Sequence, residues 1–133
     1  MKITPADSAF SKLIRARSGW RCEMCGTQYE ENSKGLHCSH FHGRANWSVR
    51  FDPNNAEAAC YGCHAKCEGN PHEFTDRWKA KLGQGAYDIL LERKNDISLA
   101  KMYRKTKGKG EIAKHYRDQL QAVMDGAEIE AFL

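Results

Sequence analysis

Cys60-Tyr61-Gly62-Cys63-His64, the CYGCH of residues 60–64, decides how this chain is read. Two cysteines with two residues between them form a tight knuckle that presents both sulfurs to one ion. A second such pair, CEMC, occupies residues 22–25. Four thiolates in two close pairs suit tetrahedral zinc, so Cys22, Cys25, Cys60 and Cys63 are the expected ligands of a structural zinc ion. Buried free thiols and a redox C-x-x-C are the competing readings. Redox chemistry would need only one such motif, and the βαβ setting in which it usually sits is missing. Cys38 and Cys67 have no C-x-x-C partner and read as free thiols, the alternative being that either replaces a cysteine of the frame.

The rest of the composition fits a reducing compartment and one domain. The chain has 133 residues, 29% charged and 41% hydrophobic, which suits a single modest core. No apolar run approaches the roughly 18 residues of a membrane span, so no membrane partner is expected. MKITPADSAF at the N-terminus lacks the apolar stretch of a signal peptide, and a cytoplasmic location is the expectation. The net charge of +4 and pI near 8.7 are compatible with nucleic acid without requiring it. Lys101, Arg104, Lys105, Lys107 and Lys109 lie together without an acid, either as a solvated basic linker or as a phosphate-contacting segment.

Periodicity and punctuation place the elements. A first helix is expected with Asp7 as its cap, Phe10, Leu13 and Ile14 on one face, and Gly19 beyond its end. Residues 36–42 read as a short strand, 49–51 as a second, and the Asp52-Pro53-Asn54-Asn55 stretch as a turn. A short helix is expected from Ala56 toward Cys67. Asn70-Pro71 starts a helix over 71–82 that buries Phe74, Trp78 and Leu82, and Gly83 ends it. Another helix over 85–94 presents Ala86, Ile89, Leu90 and Arg93. After the basic segment a last amphipathic helix, 111–124, carries Ile112, Tyr116, Leu120, Val123 and Met124. Residues 1–95 then form a zinc-stapled domain. Residues 96–133 form a basic linker and a helix packed on that same domain.

A zinc frame of this kind draws His64 toward the strand at 36–42, where LHCSHFHGR carries His37, His40 and His42. Histidines held together by a rigid clip are a candidate second metal site. Phosphodiester hydrolysis needs such a set. A histidine of pKa about 6.5 can take a proton from water at neutral pH, and a divalent cation can neutralise charge on the phosphate and leaving oxygen. His40 is the expected base and His64 the first ligand of a catalytic metal. His42, two residues on and on the same strand face as His40, is read as a substrate contact, a swapped base or an ordinary residue. His72 and His115 are read as surface residues on helices.

The order His40, Asn55, Cys60-Tyr61-Gly62-Cys63-His64 resembles the HNH nuclease motif in its zinc-stapled form. SHF, VRFDPNN, CYGCH and GNP, in that order, are similar more specifically to phage recombination endonucleases of the NinG (Rap) type, from about Phe10 to Asn95. The resemblance implies an α+β fold with a ββα-metal (HNH) core, an N-terminal helix and a helical C-terminal part. It implies a metal-dependent DNA endonuclease acting on branched or single-strand-containing DNA, in a bacterial host cell if the gene is a phage's. It also implies that Asn55 holds the base-bearing loop by hydrogen bonds.

Ser39 departs from the pattern, because many HNH enzymes place a metal-ligating Asp or His just before the base. His37, on the same strand face and about 6–7 Å further back, could supply that ligand. Asn70 or Glu68 could also do so. A site that leaves waters on the ion favours Mg2+ or Mn2+. Arg44 and Arg50, beside the base, are expected DNA-backbone contacts. Trp47 is read as a base-stacking ring or a buried anchor. Junction resolution needs two active sites, which a homodimer would supply. A generic HNH nicking or double-strand nuclease, for example in phage packaging, and a non-catalytic zinc module that binds nucleic acid are the alternatives.

Overall fold

The computed structural model describes residues 2–106 and 110–133, so the expectations for Lys107 and Lys109 lie outside the described residues. The fold is α+β. Helix α1 spans Pro5–Arg17. Thr4, rather than Asp7, caps it: its hydroxyl accepts from the Asp7 amide, and the Asp7 carboxylate accepts from the Thr4 amide. This reciprocal box puts the carboxylate at the third helical position, where it also meets the positive end of the helix dipole.

Strands β1 (Leu36–His40) and β2 (Ala56–Cys60) form a two-stranded antiparallel sheet, with Leu36 opposite Cys60 and His40 opposite Ala56. The second strand is therefore not at 49–51, and the expected helix does not begin at Ala56. Val49 and Phe51 are buried turn residues that anchor the long connection into two different cores. Ala56-Glu57-Ala58-Ala59 favours a helix by propensity. The ladder to β1, with small side chains buried on both faces, overrides that preference.

Cys60 then caps helix α2 (Tyr61–Gly69), followed by α3 (Pro71–Leu82) and α4 (Gln84–Lys94). Trp78 of α3 is fully buried with Val49 and Leu90, and Phe41 stacks parallel to its ring at 5.3 Å. Ile89 does not join this core; it is 59% exposed, because the face of α4 that packs inward runs through Ala86, Leu90 and Arg93.

The basic segment is no linker up to residue 106. It forms α5 (Ile97–Thr106), whose apolar side buries Leu99 and Tyr103 while Lys101, Arg104 and Lys105 stay exposed. The last expected helix is two, α6 (Glu111–Asp118) and α7 (Leu120–Met124), broken at Gln119. Phe10, Leu13 and Ile14 of α1 share one core with Phe51, Ala56, Leu99, Tyr103, Ile112 and Tyr116. Helices α5, α6 and α7 thus pack on the N-terminal helix and on the loop that follows β1. The Tyr116 hydroxyl donates to the Phe51 carbonyl in that loop and accepts from the Phe132 amide. Among the described residues no helix is long and apolar enough to cross a membrane.

Candidate metal and active centre

The two knuckles converge. The Sγ atoms of Cys22, Cys25, Cys60 and Cys63 all lie within 4.8 Å of one another. The Cys25 and Cys60 sulfurs are 3.8 Å apart. A tetrahedral ion with Zn–S bonds of about 2.3 Å would separate its sulfurs by about 3.8 Å, so this cluster could hold a structural zinc. The backbone prepares it. The Cys22 amide donates to the Thr27 carbonyl, and the Cys60 amide donates to the Cys22 sulfur at 3.3 Å.

Hydrogen bonds from the Thr27 hydroxyl and amide bring the Cys25 thiol down to about 6. A backbone bond at Cys63 lowers Cys60, while burial drives Cys63 up to about 12. Glu23 ties the first knuckle to the sheet and to α3 by accepting from the Ala58 amide and from Lys81. Cys38 and Cys67 lie outside the cluster. Cys38 is half-buried against the core, where desolvation raises its thiol to about 12, and Cys67 touches the Met24 sulfur.

The frame sets α2 against β1. His37 of β1 and His64 of α2 meet Nδ1 to Nδ1 at 3.3 Å, and Glu68, one turn beyond His64, lies 3.5 Å from its other ring nitrogen. Two imidazole nitrogens bound at about 2.0–2.1 Å would stand about 3.3–3.4 Å apart on a tetrahedral ion and about 3 Å apart at neighbouring corners of an octahedral one, so the pair is close enough to share a cation of either geometry. Glu68 sits on the far side of the His64 ring. There it can hold Nε2–H and leave the Nδ1 lone pair for a metal. His37, His64 and Glu68 line a cavity of about 630 Å³ together with His40, Arg44 and Lys34.

Asn70 is not part of that cavity. Its amide donates to the Lys66 carbonyl, and the residue lines a smaller hollow near Cys67 and Arg77, because α2 ends there and the chain turns away. Ser39, fully buried opposite Glu57, offers nothing to the cavity.

His40 ends β1 with its ring against Phe10. Its Nε2 lies 2.9 Å from the Arg50 carbonyl. A carbonyl only accepts, so this bond fixes the proton on Nε2 and leaves Nδ1 with its lone pair. Burial lowers the His40 pKa to about 4, outweighing the carbonyl bond that favours the charged ring, so it is unprotonated at neutral pH. Asn55 is fully buried directly after the loop. Its Oδ1 accepts from the His42 amide, and its Nδ2 donates to the carbonyls of His42 and Val49. One amide thus clasps both ends of the loop between His40 and the turn.

Two expectations near His40 need correcting. Arg50 is 2% exposed, with its guanidinium forked onto the Asp7 carboxylate at 2.6 and 2.9 Å, so it faces the interior and not a phosphate. His42 does not share the side of His40, because β1 ends at residue 40. Its ring packs on Phe41 outside the cavity, and its Nε2 is buried without a hydrogen-bond partner. Trp47 is an anchor, half-buried against Phe51 with the Arg50 guanidinium 4.3 Å above its ring. His72 is exposed, whereas His115 is half-buried, bonding the Glu130 carbonyl and resting on Phe132.

Burial, aided by the Lys94 charge, holds the His42 pKa at about 4, below its ordinary 6.5. The unfolded chain therefore binds the extra proton first, and stability is lost as pH falls from 6.5 toward 4. In His42→Phe the thermal midpoint is expected to fall less steeply over that range than in wild type. Acid loss of any ion held by the four cysteines would affect both proteins alike, so scanning calorimetry of the pair at several pH values isolates the histidine. Equal slopes would refute the assignment.

Sequence reasoning does not reach Asp7 as the partner of Arg50, since 43 residues separate them and no local spacing links them. Tyr61 was legible only as part of CYGCH. It stands 73% exposed beside His37, ring centroids 6.0 Å apart. Comparison with family models, curated proteins and solved structures finds no match to the chain.

Proposed function

We propose that this chain is a metal-dependent DNA endonuclease with a zinc-stapled ββα-metal core of the HNH kind. The observation that carries the reading is the convergence of His37, His40 and His64 on one cavity beside the four-cysteine cluster. The chain order β1, β2, α2, with β1 and α2 lining that cavity, supports it, as does the clasp of Asn55 on the loop after His40. A binding module needs neither a half-buried neutral imidazole held in one tautomer nor an imidazole pair at 3.3 Å.

The chemistry assigned to the residues is phosphodiester hydrolysis. His40 Nδ1 takes a proton from water as the oxygen attacks phosphorus, and the bond from phosphorus to the leaving oxygen breaks. His37 and His64 would hold a divalent cation, Mn2+ or Mg2+. When bound, it neutralises charge on the phosphate and the departing oxygen. Imidazole ligands favour manganese of the two, and Glu68 orients His64. Arg44 and Lys34 supply positive charge at the cavity for the DNA backbone.

The substrate assigned is DNA with a branch or a single strand, as the resemblance to phage recombination endonucleases implies. The open ring of Tyr61 offers an unpaired base a stacking face. Resolution of a junction would require two chains acting together.

The test is cleavage of junction, flap, single-stranded and linear duplex DNA by chelator-treated, zinc-retaining protein, with and without added Mn2+ or Mg2+. Cleavage that needs the added ion and prefers branched or single-stranded forms is expected. His64→Ala should raise the manganese concentration for half-maximal cleavage by about 10-fold or more. Equal cutting of linear duplex would point to a generic nicking enzyme. No cutting of any form would leave a non-catalytic zinc module.

A further inference from the structure

We infer that Asp7, acting through Arg50, is a positioning residue that fixes the tautomer and orientation of His40. The inference rests on His40 being the base of the proposed reaction.

Three elements far apart in sequence meet here. Asp7 lies in the first turn of α1, His40 ends β1, and Arg50 sits in the buried turn beyond. Arg50 Nε donates to Asp7 Oδ1 at 2.9 Å, and one terminal nitrogen donates to Oδ2 at 2.6 Å. The guanidinium also donates to the carbonyls of Arg44 and Lys2, and it covers the Trp47 ring. The side chain is thereby held by α1, by the N-terminal segment and by its own loop. The carbonyl of this same residue accepts the His40 Nε2 proton.

An ion pair this buried is weak evidence for stability, since packed apolar residues often serve a core equally well. What an apolar pair would not supply is a carbonyl locked in one place by a two-pronged bond. Asp7 is itself fixed by the Thr4 amide and hydroxyl. Burial opposes its charge, yet the bonds from Arg50 and Thr4 prevail and lower its pKa, so the anchor is a carboxylate at neutral pH. Without that carboxylate the guanidinium would be left as an uncompensated charge in the interior and would move toward water. The Arg50 carbonyl would shift with it. His40 would lose its acceptor, and the Nδ1–H tautomer, which cannot take a proton at Nδ1, would become populated.

Nitrogen-15 NMR of the imidazoles in the zinc-loaded full chain at pH 7 reads this directly, with His40 assigned by loss of its signals in His40→Gln. Wild type is expected to show His40 as the Nε2–H form alone. Asp7→Asn should show both tautomers, and cleavage should fall by up to about 100-fold in kcat with KM little changed. Arg50→Lys keeps the charge but not the fork, and it carries the test if Asp7→Asn does not fold. A single Nε2–H tautomer in the folded variant overturns the inference, whatever the nuclease assay shows. Failure of both variants to fold also overturns it, assigning the pair to stability alone. Wild-type protein that cuts no DNA, yet shows the tautomer change in the variants, refutes the proposed function and leaves the positioning role standing.

Discussion

His40→Ala is expected to lower DNA cleavage by about 10²–10⁴-fold, the usual contribution of a positioned proton acceptor. The fold should survive. His40 lies at the end of β1 and its ring makes one hydrogen bond, to the Arg50 carbonyl, so its removal should cost about 1 kcal/mol beyond lost contact with Phe10. Circular dichroism, zinc content and affinity for a junction substrate should therefore match wild type within small factors, while single-turnover cleavage nearly vanishes. That separation is the point of the experiment. A variant that cuts at a rate comparable with wild type would remove His40 from the role of base, and the cavity would need another proton acceptor. His42 could not take over readily, since it packs outside the cavity.

Cys60→Ser should act on the other half of the centre and with a different signature. Cys60 is the last residue of β2 and the cap of α2, so its sulfur joins the sheet, the helix that carries His64, and the first knuckle through Cys22 and Cys25. A hydroxyl is a poor zinc ligand, and metal affinity in such a cluster is folding free energy. A loss of several kcal/mol is expected, and with it a fall of about 10–20 °C in thermal midpoint. Bound zinc by atomic absorption should drop from one per chain toward zero. Cys38→Ser provides the contrast: it lies outside the cluster, so metal content should hold at one. Unaltered folding and metal content in Cys60→Ser would refute the structural zinc.

The cysteine knuckles and the meeting of His64 with the first strand were legible because each depends on short spacing and on side chains that have few other uses in such a pattern. Helix 71–82 was legible for a similar reason, with Asn70-Pro71 and Gly83 marking its ends. The second strand was not. Ala56–Cys60 carries no alternation, because both faces of β2 are covered, and its alanines favour the helix that only begins at Tyr61. Val49 and Phe51 looked like a strand because two buried anchors in a turn share the period of one. Arg50 was misassigned to DNA for a related reason. Local sequence shows an arginine beside a base, and only the fold brings Asp7 up to neutralise it. Ligand choice was open between His37, Glu68 and Asn70 because all three are near His64 in space or in sequence. The rotation of α2 and its end at Gly69 separate them.

The Asn55 side chain holds the loop after His40 through main-chain atoms, the amide and carbonyl of residue 42 and the carbonyl of residue 49. Such a clasp is indifferent to which side chains the intervening positions carry. Exposed Gly43 and Ala45 could therefore be exchanged for larger or charged groups without loosening the scaffold beneath them. Were the chain to cut DNA as proposed, selection, natural or in the laboratory, could retune which nucleotides it prefers at that rim while leaving His40 and the histidine pair untouched.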